Sequence, residues 1–141
     1  MRRWLTLGAL SALIGACALP GGPDEPAPLL IRGLEFENRS RSAVQSIQLL
    51  VPATGNFVSC GRIAPEARCA ARFPEVAYAG NPIEVKWVQG GAEWSTGATP
   101  LNISSEARAA GAGEVRVVVI APGSAGVVLV PSEGGGAVRN P

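Results

Sequence analysis

The chain has no histidine, a single lysine (Lys86) and a single aspartate (Asp24). Without an imidazole, neither a Ser-His-Asp nor a Cys-His nucleophile arrangement can be assembled. No glycine-rich run is followed by Lys-Ser or Lys-Thr, so a phosphate loop is absent as well. Any glycosidase-type carboxylate pair must come from glutamates, and Glu84 with Glu93 is the best pair on offer. Both flank Lys86 on the polar side of an alternating segment, where charges are ordinarily solvated rather than catalytic. Lys86 itself has no apolar surroundings that would make its amine a nucleophile. No enzyme is expected from this inventory, and no cofactor.

The chain does carry an export signal. Arg2 and Arg3 precede an apolar run from Leu5 to Ile14, and small residues lead from there to Cys17. Ten residues rise only about 15 Å as a helix, half of a ~30 Å hydrocarbon core, which disfavours a permanent membrane span. Ile14-Gly15-Ala16-Cys17 resembles the lipobox of bacterial lipoproteins. That resemblance implies cleavage before Cys17 and acyl chains on Cys17 that hold the protein to a membrane. Ala16-Cys17-Ala18 also satisfies the small-x-small rule, so ordinary secretion stands as the alternative. Either way the protein is exported. Ala18, where an aspartate would suggest inner-membrane retention in the enterobacterial pattern, points to the outer membrane, facing the periplasm.

Processing leaves a nearly neutral domain. Of twelve Lys and Arg, Arg2 and Arg3 leave with the signal, so ten basic residues stand against eleven acidic ones and the sum is −1. The arginines are scattered, which excludes a phosphate-tracking stripe for nucleic acid and a polybasic membrane patch. Of three cysteines, one belongs to the lipobox. Cys60 and Cys69 remain, an even pair in an oxidising compartment, and are expected to be bonded across a turn at Pro65 that joins adjacent strands. Eight intervening residues argue against a reactive redox pair, and a zinc site has too few ligands, so no metal is expected.

Four segments follow: signal 1–16, lipidated cysteine with a Pro/Gly-rich spacer 17–28, domain 29–130, and a tail 131–141 that reads as disordered. The domain alternates throughout in the manner of strands. Leu30, Leu34 and Phe36 share one face of the first strand, Arg32 being the exception, and Asn38–Ser42 reads as a polar turn. Strands follow at 47–51, 57–60, 69–73, 83–89, 92–96, 114–121 and 127–130. Gly90-Gly91 between two runs predicts a two-residue hairpin that pairs Gln89 with Ala92, Val88 with Glu93 and Trp87 with Trp94. Trp87 and Trp94 then share a face with Ile83 and Val85, opposite Glu84, Lys86, Val88, Glu93 and Ser95. Ser104 and Gly111 bracket a short helix near 104–110. Short strands at this spacing give an all-β fold, an antiparallel immunoglobulin-like β-sandwich of about seven to eight strands. The sequons at Asn38 and Asn102 are taken as coincidental.

The chain is similar in layout to small bacterial envelope lipoproteins that carry such a sandwich behind a spacer. Architecture of this kind implies no activity. Two functions are expected from different classes. The first is a non-enzymatic accessory or scaffold that binds another envelope protein, with an exposed strand edge as its docking surface. The second is a carbohydrate or peptidoglycan-fragment binding module, in which Trp94, Tyr78 and Trp87 would form an aromatic platform for a sugar ring; core packing competes with that role for Trp94 and Trp87, and Tyr78 with Asn81 would instead contact a partner.

Overall fold

A computed structural model describes residues 27–72 and 74–132. The signal, Cys17, most of the spacer and nearly all of the tail lie outside them. Among the described residues ten strands and one helix build two sheets that enclose a single core: β1 (Leu30–Asn38), β2 (Val44–Val51), β3 (Asn56–Ile63), β4 (Arg68–Ala71), β5 (Val76–Ala77), β6 (Glu84–Gln89), β7 (Ala92–Ser95), β8 (Asn102–Ile103), α1 (Ser105–Ala110), β9 (Ala112–Ala121) and β10 (Ser124–Val130). One sheet has the order β4-β1-β9-β10-β8, with β5 paired to the start of β1; the other has the order β3-β2-β6-β7. This is an all-β sandwich. The strand count exceeds the expected seven to eight by β5 and β8, each two residues long and too short to leave a periodic signal. Most pairs are antiparallel, but β1 runs parallel to β9 and β8 parallel to β10.

Phe36, Ile47, Val85, Val117 and Leu129 are fully buried, and Trp87 and Ile63 nearly so. They fill the space between the sheets, and their burial is the main force holding the layers together. The hairpin forms in the expected register: Trp87 opposes Trp94, Val88 opposes Glu93 and Gln89 opposes Ala92. Gly90 and Gly91 have φ of 63° and 75°, the left-handed values that this two-residue turn requires. The helix begins at Ser104, whose side chain accepts from the Ala107 N–H, and ends at left-handed Gly111.

Two expectations need correction. The register of β1 against β9 shifts between Ile31 and Gly33, which bulges Arg32 out of the ladder. An extra residue reverses the inward parity. Leu29 and Ile31, not Leu30, therefore pack on the core ahead of the bulge, and Leu34 and Phe36 are buried after it. Asn38 is likewise no part of an exposed turn. It closes β1 and is fully buried, its amide partnered by the loop it begins and by Ile63 O at the end of β3.

Cys60 and Cys69 are bonded, with Cα atoms 6.5 Å apart. The bond does not join neighbours in one sheet, as the turn reading implied. β3 and β4 are edge strands of opposite sheets, so the disulfide staples one side of the sandwich. The connection turns at Glu66, held at a φ of 61° while its N–H donates to Asn38 O at 2.8 Å.

Candidate functional site

The two ends of the sandwich differ in chemistry. Where β1 finishes, polar side chains cross between the sheets. Asn38 Nδ2 donates to Ser42 O (2.8 Å) and Ile63 O (3.0 Å), and Asn38 Oδ1 accepts from the Ser40 hydroxyl and backbone N–H. Gln89 Nε2 reaches from β6 to Ser40 Oγ (2.6 Å) and Ser42 Oγ (2.9 Å), while its Oε1 accepts from Trp87 Nε1 at 3.1 Å. Trp94 Nε1 donates to Gln89 O at 3.0 Å. Asn38, Ser40, Gln89 and Trp87 are buried, Trp94 is half-buried, and their polar atoms are bonded to one another and to exposed Ser42, which makes this end a lock. Burial of Asn38 also removes its sequon from consideration.

Where β1 starts, no such network among the described residues closes the gap. An apolar cleft of about 330 Å³ opens between the sheets there. Ile31, Leu34 and Val115 line it from one sheet, and Leu49, Val51 and Val58 from the other. Leu101 and Ile83 also line it, and so does the segment Val76–Asn81, a strap paired at its start to β1. No lining residue is charged, and the polar ones are Thr54, Asn56, Tyr78 and Asn81. Phe57 and Val76 stand in the lining with 63% and 47% of their surfaces exposed, two of the three large exposed hydrophobics among the described residues. Apolar side chains left in water around a concavity are the ordinary mark of a binding surface.

The structure brings Tyr78 and Asn81 together in this cleft and leaves Trp94 out of it. The Tyr78 hydroxyl donates to Asn81 O at 3.4 Å, and the Tyr78 N–H donates to Leu29 O at 2.8 Å, which fixes the strap to the residue where the chain enters the domain. Trp94 is half-buried against the β9–β10 turn; a Cβ on Gly123 would come within 2.9 Å of its ring. Trp94 also lines a separate, more polar pocket with Gln48, Lys86, Glu93 and Ser95. A sugar needs many hydrogen-bond partners for its hydroxyls, and the cleft supplies few.

The remaining candidates are dispersed. Glu84 accepts from Ser95 Oγ at 2.7 Å and lies 3.8 Å from Lys86 Nζ. Glu93 is exposed and opposes Val88, four positions along β6 from Glu84. That offset separates the two backbone sites by about 13 Å along the strand. Among the described residues no three Cys, Asp or Glu side chains gather where a metal ion could be held.

On the outer face of the first sheet, Glu35 and Glu37 meet Arg39, Arg68 and Arg116. The hydrogen bond from Arg39 holds the Glu37 carboxyl below the ordinary carboxylate range, against the opposing effect of desolvation, and the charges of Arg39, Arg68 and Arg116 add to it. This cluster stabilises a surface and offers no unpaired charge to a ligand.

Sequence reasoning missed the cleft because its lining comes from segments scattered between residues 31 and 115. The exposure of Phe57 was its one local signal, and alternation alone does not distinguish an exposed aromatic from a buried one.

No protein-family model and no curated protein matches the chain. A solved structure, the NMR structure of a protein from Eubacterium rectale, is similar over 80% of this chain and 98% of its own, at 11% identity and a TM-score of 0.44, and carries no argument about function.

Proposed function

We propose that the chain is a lipoprotein held by acyl chains on Cys17 to the outer membrane, facing the periplasm, and that its sandwich acts as a non-enzymatic accessory that holds another envelope component. The observation that carries this reading is the open, uncharged cleft with Phe57 and Val76 at its mouth, on the end of the sandwich where the spacer joins. A tether of this kind raises the effective concentration of the domain near membrane-associated partners. Apolar contact with a partner would cover the cleft mouth, and the exposed apolar side chains there support binding as its use.

The test has two readouts on the same cells. Mass spectrometry of membrane-extracted protein is expected to show acylated Cys17; a soluble form beginning at Leu19 would count against the anchor. A photo-crosslinking residue in place of Phe57 is expected to trap an envelope component that the same residue in place of Ile120, exposed on the far face, does not trap. Equal trapping at both positions would remove the cleft from the function.

A further inference from the structure

The cleft lies beside the point at which the N-terminal segment joins the domain. Ile31, the second residue of β1, lines it, and the strap residue Tyr78 is bonded through its N–H to Leu29 O. Twelve peptide units separate Leu29 from Cys17. They reach up to about 40 Å when extended, so Cys17 and whatever it carries can arrive at the cleft mouth without any rearrangement of the sandwich.

Volume and chemistry agree with a hydrocarbon occupant. A methylene group fills about the ~30 Å³ share of a water molecule in the liquid. A cleft of about 330 Å³ therefore takes roughly ten methylenes, most of one fatty acyl chain. The lining carries no charge to receive a free head group, which suits a chain whose polar end stays outside, attached to the protein. Tethering through so short a segment gives an effective concentration on the order of millimolar, so even a weak intrinsic affinity would fill the site.

We infer that the cleft is the docking site of an acyl chain carried on Cys17, taken up whenever that chain is out of a bilayer. The inference rests on the anchored reading of Cys17 given above. Docking covers Phe57 and Val76 at the mouth, shields one lipid chain from water, and leaves the cleft free once the chain returns to the membrane.

The experiment uses the full chain from residue 17 in two forms, acylated protein from membranes with detergent removed, and the Cys17→Ser chain, which carries no lipid. The probe is radiolabelled dodecanoic acid. The Cys17→Ser chain is expected to bind one probe per molecule, and Ala77→Trp, filling the cleft from an exposed position, to weaken that binding at least tenfold. Ala79→Trp is the second filling variant should the first fail to fold. The acylated chain is expected to bind the probe at least tenfold more weakly than the Cys17→Ser chain, because its own lipid competes. Acylated Cys17 together with equal probe binding by both forms would overturn this inference alone and assign the cleft to a partner. Failure of the Cys17→Ser chain to bind, or binding that neither filling variant weakens, would overturn it as well. So would a dimer of the acylated chain that Ala77→Trp abolishes, which would give the cleft to a second copy. A Cys17 without lipid would overturn both this inference and the anchored reading.

Discussion

At the end of the sandwich where β1 finishes, Asn38, Ser40 and Gln89 are buried and bonded to one another, with Trp87 joined to Gln89. At the end where β1 starts, the same two sheets part around an apolar cleft, and Phe57 and Val76 stand in water. The first arrangement satisfies its polar groups with one another. The second leaves apolar surface uncovered, which lowers stability relative to a closed core and gains a concave surface for a ligand. Stability and binding are thus assigned to opposite ends of one small domain, and the disulfide clamps the flank between them at β3 and β4. The difference predicts that substitutions at the two ends will have effects of different size and kind.

The largest effect is expected at the locked end. Trp87 is 2% exposed and donates from Nε1 to Gln89 Oε1. Trp87→Ala removes a large core side chain and leaves Gln89 Oε1 without that donor, so it should destabilise by roughly 3–5 kcal/mol in urea unfolding. A loss below ~1 kcal/mol would show that the lock is not what holds this end together.

Reducing the disulfide comes next. Cys60 and Cys69 are nine residues apart, and closing so short a loop contributes about 2–3 kcal/mol in the chain-entropy account. Comparing unfolding midpoints with and without reductant measures it. Free-thiol labelling of the unreduced, denatured protein tests the bond itself and should find neither Cys60 nor Cys69 reactive.

The two ends were not equally legible in the sequence. The hairpin at Gly90-Gly91 and the helix capped by Ser104 are local, and turn chemistry with side-chain alternation suffices to read them. The cysteine pair was readable from compartment and count, though its placement across two sheets was not, since a turn at Pro65 is equally compatible with one sheet or two. The lock was missed because Asn, Ser and Arg in succession read as a polar turn; Arg39, Arg41 and Ser42 are indeed exposed, and nothing short of the tertiary contact with Gln89, 49 residues beyond Ser40, shows that Asn38 and Ser40 are buried. The bulge at Arg32 was visible only as a break in alternation, and its consequence for Leu30 follows from pairing with β9. Tyr78 and Asn81 were picked out by loop composition and do lie in the cleft, whereas Trp94 was picked out for its aromatic ring and packs on Gly123 instead.

A smaller effect is expected from acid. The folded-state pKa of Glu37 is lowered, chiefly by its hydrogen bond from Arg39. The ionised carboxylate therefore stabilises the fold fully above the unfolded value of about 4.3, and that contribution is lost as pH falls through the depressed folded value. Because the Arg39 side chain is 55% exposed, screening keeps the contribution below ~1 kcal/mol. Glu37→Gln should be less stable than the parent at pH 7, and the gap should close on acidification below pH 4. A gap that stayed constant with pH would mean that the hydrogen-bond geometry, and not the charge, is what Glu37 supplies.

The smallest effect is expected at the open end, and it sharpens the comparison most. Phe57 keeps 63% of its surface in water, so little apolar burial is lost when it is replaced. Phe57→Ser should change the unfolding free energy by less than about 0.5 kcal/mol, as exposed positions away from core and caps usually do. The same substitution should nonetheless weaken whatever the cleft holds, because the ring is a large apolar wall at its mouth and aromatic walls contribute heavily to apolar binding. A protein that keeps its unfolding midpoint while losing crosslinking or probe binding would separate the two ends cleanly. A substantial loss of stability at Phe57 would instead mean that the mouth is closed in solution by this chain's own residues, and the cleft would have to be counted as core.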